Sequence, residues 1–141
     1  MAMNYWLVKS EPTVFSFEDL KKAPQQKTSW DGVRNYQARN FLRDDLKKGD
    51  LVLFYHSNCD AIGIAGVAEV IKEGYPEKTD STWYSVDIKW KKDFHHFLTL
   101  KELKTIPELK EMKLLQKGQR LSVQPVSKQE FEIIYQKGFK T

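Results

Sequence analysis

Residues 30–57, WDGVRNYQARNFLRDDLKKGDLVLFYHS, set the reading of the whole chain. The stretch opens in a turn rich in hydrogen-bonding groups, continues as a short helix and ends in an apolar strand. Ala38, Phe41 and Leu42 recur at helical spacing and define a buried stripe, while Arg39 and Arg43 stand one turn apart on another face. Lys47-Lys48-Gly49-Asp50 closes the helix, with lysines at the negative end of the dipole and glycine as the stop. Residues 51–56 are continuously apolar, the pattern of a strand buried on both faces. Three of the chain's four arginines, Arg34, Arg39 and Arg43, fall here, although lysine is the common cation elsewhere. A planar guanidinium suits phosphates and bases as an ammonium does not, and Trp30 adds a stacking face beside it.

Working outward, residues 4–9 alternate and are aromatic-rich, which predicts a strand ended by Glu11-Pro12. Ser16 with Glu18-Asp19 starts a short helix, FEDLKKA, closed by Pro24, and residues 25–29 read as a polar loop leading into Trp30. On the other side, residues 57–60 form a turn, and residues 62–71 form a strand bent at Gly63 and Gly66. Residues 83–90 alternate cleanly. Thr99 caps a helix over 99–106, with Glu102 three residues on. A last strand or extended segment spans 118–126. Ser127 then caps a final helix whose Phe131, Ile134 and Tyr135 share a face. About five strands, interrupted irregularly by short helices, point to an α+β protein built on a small mixed barrel rather than on parallel βαβ units.

At 141 residues the chain reads as one domain, 1–141, with no linker or low-complexity tract. Its 40% hydrophobic and 30% charged residues are those of a globular protein. The 4 Trp, 6 Tyr and 8 Phe are many for so short a chain; most are expected to fill a small β-rich core, with some left for a ligand. A net charge of +4 favours a polyanionic partner, and its even spread places any contact on the folded surface rather than on a basic arm. Cys59 is the only cysteine, so neither an internal disulfide nor a cysteine-pair zinc site is available. The apolar run at residues 5–8 is cut by Lys9 and Glu11, and no run reaches membrane-spanning length. A reducing cytoplasmic interior, or a nucleus in a eukaryote, is therefore expected rather than secretion or a membrane.

No catalytic or metal constellation stands out, and no cofactor is expected. Cys59 follows His56 by three residues but lacks an identifiable oxyanion hole. His95-His96 point to opposite faces of a strand and cannot chelate one ion. Gly63-Ile64-Ala65-Gly66 lacks phosphate-loop spacing. A binding constellation is left. Trp30 and Tyr55, with Trp83 a further candidate, can stack on a base. Ser10, Asn35, Asp31 and Ser57 can read its polar edges, and Arg34, Arg39, Arg43 and Arg120 can hold flanking phosphates. Each has a plainer reading: core packing for the aromatics, ion pairs with Asp44 or Asp50 for Arg39 and Arg43, and an N-cap of the following helix for Asp31.

Four motifs add a resemblance: YWLVKSEP (5–12), WDGVRNYQARNFLRDDLKKGDLVLFYHSN (30–58), GIAGVAEV (63–70) and RLSVQPV (120–126). Together they span nearly the whole chain, and the second is long and specific. In these motifs the chain resembles the EVE-domain family of the PUA-like superfamily. That resemblance implies a PUA-like mixed β-barrel of about five to six strands flanked by short α-helices. It also implies a non-enzymatic, nucleic-acid-binding domain that recognises a modified base, a modified cytosine among the candidates. Similarity to the YTH readers of N6-methyladenine extends to GVAEV and to Trp30 as a cage residue. By motif, the pocket would draw on Ser10, Trp30, Val33, Asn35, Tyr55, Ser57 and Pro125. The chain departs from the family where relatives carry a longer, tyrosine-bearing insertion: here Tyr75-Pro76-Glu77 reaches Trp83 quickly, leaving Trp83 and Tyr84 to take its place. Two other classes fit the same residues, an RNA-binding accessory domain without modification specificity and a small-molecule-binding protein.

Overall fold

The computed structural model describes residues 4–117 and 121–139. Its strands are β1 (Tyr5–Ser10), β2 (Lys27–Trp30), β3 (Leu51–His56), β4 (Gly63–Pro76), β5 (Tyr84–Thr99) and β6 (Val123–Val126). They form one mixed sheet in the order β2-β5-β4-β3-β1-β6. Only β1 and β3 run parallel, with Leu7 opposite Leu53. The connection between them carries α1 (Phe17–Lys22), β2 and α2 (Tyr36–Asn40). Helices α3 (Leu100–Lys104) and α4 (Lys128–Gly138) follow later in the chain.

Strand parity sorts the core into two layers. Along β3, Val52 and Phe54 face one layer while Leu53 and Tyr55 face the other, and all are buried. The first layer is closed by Phe17 and Leu20 of α1 and by Ala38 and Leu42 after the WDG turn. The second is closed by Leu103 of α3, by Leu109, Met112 and Leu114, and by Phe131 and Ile134 of α4. Each fully buried Leu, Ile or Met among them contributes roughly 1.5–3 kcal/mol. Gly66 lets α1 approach the sheet: a Cβ there would meet the Phe17 ring at 2.4 Å and the Lys92 carbonyl at 2.5 Å.

The helix after the WDG turn widens into a π-helical turn, with the Leu46 N–H donating to the Phe41 carbonyl at 2.9 Å. Beyond it the chain is tied to β1 through Asp50, which is 3% exposed. The Asp50 carboxylate accepts hydrogen bonds from the Asn4 N–H (3.1 Å), the Trp6 indole N–H (3.0 Å) and the Lys47 N–H (2.9 Å).

Two expectations need correction. Residues 25–29 are not a plain loop: a tight turn at Pro24–Gln26, with Gln25 and Gln26 at positive φ, leads into β2. Strand β2 pairs with β5 and places Trp30 opposite Val86. Also, β4 and β5 outrun the apolar stretches that predicted them, because their polar ends still share backbone hydrogen bonds. The capping box at Thr99–Glu102 forms as read from the sequence, and the Ser127 cap forms too, completed into a box by Glu130.

Candidate nucleic-acid interface

Among the described residues β2 pairs on one side only, so the sheet is open along it. A cavity of about 500 Å³ fills that opening. Its walls come from Ser10 at the end of β1, Phe15, Thr28 and Trp30 of β2, the turn from Asp31 to Arg34, and Ser122. Trp30 is half-buried, and its ring meets Phe54 of the first layer edge-on at 5.5 Å. Val33 is 6% exposed and anchors the turn in the core. The Ser10 hydroxyl donates to the Phe15 carbonyl at 2.6 Å. The Trp30 indole N–H, the Thr28 hydroxyl and the Asp31 carboxylate make no hydrogen bond or ion pair among the described residues. The cavity thus offers an aromatic wall with a free donor and free acceptors.

Glu77, just past β4, fastens the turn. Its carboxylate, 9% exposed, accepts both Arg34 guanidinium nitrogens (2.9 and 2.8 Å) and the Gly32 N–H (3.0 Å). Gly32 has φ +76°, a conformation that other residues adopt only with strain. The Arg34 guanidinium, followed by the Gly32 N–H, holds the Glu77 carboxyl below the usual carboxylate range. Arg34 also lies 5.1 Å from the Trp83 ring centre, and Trp83 stacks on Tyr36 at 5.0 Å. Trp83 therefore packs against the rim residue Arg34. Glu77's role has no local signature, since its partners lie more than forty positions away.

The structure brings Ser10, Trp30, Asp31, Val33 and Arg34 to this cavity. It does not bring four other candidate base-pocket residues there. Tyr55 faces the second core layer at 4% exposure, because parity sends it opposite to Phe54, and burial pushes its phenol up to about 12. Asn35, rather than Asp31, caps the helix: its Oδ1 accepts the Ala38 N–H at 3.0 Å, which occupies that acceptor. Ser57 adjoins Ser10 only through its backbone, its N–H donating to the Ser10 carbonyl at 2.9 Å. Pro125 lies opposite Trp6 and lines a separate groove of about 630 Å³ with Asn4, Phe41 and Lys128.

The arginines divide. Arg43 is engaged by Asp44 through two 2.8 Å hydrogen bonds, as its plainer reading expects. Arg39 donates to the Asn40 side chain and the Thr82 carbonyl, both at 2.8 Å; it is in no contact ion pair among the described residues, and Asp44 acts on it only at longer range. Arg120 lies outside the described residues. His56 Nε2 accepts the Phe17 N–H at 3.0 Å, so that nitrogen is not available as a base for Cys59, whose thiol donates to the Ala61 carbonyl. Both His95 and His96 are exposed, and His96 meets Glu102 at 2.7 Å.

The mixed sheet, its two helical layers and the cavity along β2 define a PUA-like α+β protein. The EVE domain model matches residues 4–137, and the chain belongs to the EVE-domain family. It is 43% identical to Thymocyte nuclear protein 1 of Mus musculus, an alignment covering 93% of this chain and 72% of that protein. A crystal structure of human THYN1 protein in complex with 5-methylcytosine-containing DNA superposes with a TM-score of 0.89 at 38% identity, over 98% of this chain and 99% of that one. The YTH domain of Zygosaccharomyces rouxii MRB1 protein, in complex with N6-methyladenosine RNA, shares the fold, with a TM-score of 0.60 at 17% identity over 99% of this chain and 86% of that one. No helix among the described residues is long and apolar enough to cross a membrane.

Proposed function

We propose that this chain, as one domain over 1–141, is a non-enzymatic reader of a modified base in nucleic acid, with a modified cytosine in DNA the leading target. The observation that carries the reading is Trp30, half-buried yet forming one wall of an open cavity beside unpaired polar groups. The human relative bound to 5-methylcytosine-containing DNA supports the ligand class. As a reader it makes and breaks no covalent bonds, and it works in the cytoplasm or, in a eukaryote, the nucleus.

The target base leaves its stack, which costs a few kcal/mol in a duplex and less in a single strand. Stacking on Trp30 returns about 1–3 kcal/mol. The Asp31 carboxylate accepts from an exocyclic amine of the kind cytosine carries, and the Thr28 and Ser10 hydroxyls and the Trp30 N–H serve the remaining edges. A buried methyl adds only about 0.8 kcal/mol, roughly fourfold in affinity. Sharper discrimination needs a wrong base to leave one of these groups buried and unpaired. Arg39 supplies the phosphate contact, since its guanidinium donates only to neutral oxygens and is in no ion pair among the described residues.

Fluorescence-anisotropy titrations test this with short oligonucleotides, single- and double-stranded DNA and RNA, carrying modified or unmodified bases at two salt concentrations. Tighter binding of a modified-cytosine strand than of its unmodified twin is expected. Equal binding of unmodified structured RNA would replace the proposal with an accessory RNA-binding role.

A further inference from the structure

The rim of the base cavity continues outward as a row of two stacked rings flanked by two guanidinium groups. Arg34, on the rim, lies 5.1 Å from the Trp83 ring centre, Trp83 stacks on Tyr36 at 5.0 Å with 22° between planes, and Arg39 lies 5.2 Å from the Tyr36 ring centre. The inner end is neutralised, because Glu77 pairs with Arg34. The outer end has no such ion pair among the described residues: Tyr36 is 62% exposed, and Arg39 spends its hydrogen bonds on neutral oxygens, with Asp44 acting on it only at longer range. An exposed ring beside a cation held in no ion pair among the described residues matches the two parts of a nucleotide, a flat base and a phosphate. Tyr36 does not serve the core, since the first layer is closed by Ala38 and Leu42 of the same segment.

We infer that Tyr36 and Arg39, backed by Trp83, form a second nucleotide subsite that holds the neighbour of the base in the Trp30 cavity. This rests on the proposed reading of the cavity and deepens it. Removing a base from a strand to seat it in a pocket leaves its neighbour unstacked on one side. A ring contiguous with the pocket rim takes that exposed face. Stacking of this kind tolerates any base, so the subsite adds affinity and leaves the choice of modification to the Trp30 cavity.

The test is a double-mutant cycle between protein and strand. The probe is a short single-stranded oligonucleotide with one 5-methylcytosine, made intact or with an abasic site on either side of it. It is titrated against the parent chain, Tyr36→Leu and Tyr36→Phe, with thermal melts to show that each variant is folded. The parent and Tyr36→Phe should lose about 5-fold or more in affinity when the base on one particular side is removed. Tyr36→Leu should bind the intact strand about 5-fold or more weakly and be indifferent to the abasic site. Its preference for 5-methylcytosine over cytosine should match the parent's. A Tyr36→Leu chain that binds as tightly as the parent, or that loses as much as the parent at the abasic site, overturns the subsite while leaving the base reader in place. Loss of the modification preference in Tyr36→Leu also overturns it, because the ring would then be a wall of the first pocket. A parent that shows the abasic coupling without any preference for the modified base supports the subsite and removes the base-reading proposal. No binding to any strand overturns both.

Discussion

Replacing Trp30 by alanine removes the aromatic wall while sparing the frame around it. The backbone of β2 stays paired to β5, with Trp30 opposite Val86. The indole meets the core edge-on through Phe54 at 5.5 Å, and Val33 anchors the following turn independently. A fully buried tryptophan truncated to alanine costs about 3–5 kcal/mol. Trp30 is only half-buried, so about 1–3 kcal/mol is expected, and a domain stable by roughly 5–15 kcal/mol remains folded. In the complex, the lost stacking of about 1–3 kcal/mol weakens binding of the modified strand roughly 5- to 150-fold. The unmodified strand, which fills the pocket less well, loses less, so the ratio between the two collapses toward one. Paired anisotropy titrations of methylated and unmethylated strands read the ratio, and urea unfolding confirms the fold. Trp30→Phe should fall between parent and alanine. A folded Trp30→Ala chain with undiminished affinity and an unchanged ratio refutes the stacking role.

Asp50→Ala strands two inward-facing donors, the Trp6 indole N–H and the Lys47 N–H. A loss of about 2–5 kcal/mol and a fall in melting temperature of about 5–15 °C should follow; a loss under about 1 kcal/mol at constant m-value would contradict its place as a hub. His56 is held below its ordinary 6.5 by burial, against an opposing pull from Asp19, and its Nε2 serves as an acceptor for Phe17. Its neutral form is the folded form, so this contribution is intact above about 6.5 and declines as pH falls through the lowered value. His56→Gln should flatten that limb in a pH series of urea melts, and an identical limb in the variant would exclude His56. The depressed carboxyls of Glu77 and Asp44 act lower, holding stability above their unfolded values and losing it on further acidification. Arg39→Gln should weaken all strands alike and lower the salt slope by about one, whereas Arg43→Gln, its partner being Asp44, should leave the slope in place. Equal slopes for the parent and Arg39→Gln would make Arg39 structural.

The sequence conveyed the fold's components better than their sidedness. The stripe of Ala38 and Leu42, the caps at Thr99 and Ser127 and the strands about β3 are local patterns, and they form as read. β3 itself shows the limit. A strand apolar from Leu51 to Tyr55 has no alternation, so nothing in it tells that Phe54 faces the cavity's layer and Tyr55 the other. β2 was obscured for the opposite reason: four residues on an edge, with only Thr28 and Trp30 turned inward, resemble a polar loop. Asn35 and Asp31 exchanged roles because one cap position can be filled by either residue type. Glu77's hold on Gly32 and Arg34 is a long-range contact with no local signature. Within the motif-derived pocket, Ser10, Trp30 and Val33 converge on one cavity, while Pro125 belongs to a different groove.

Amide chemical-shift mapping of the isotopically labelled chain, titrated with a short strand carrying one 5-methylcytosine and with its unmethylated twin, tests the central claim most directly. The largest shifts are expected at Ser10, Trp30 with its indole N–H, Asp31 and Val33, with a clear difference between the two strands at those positions. Shifts centred instead on Asn4, Trp6 and Lys128 around the other groove, or the same pattern for both strands, would contradict it.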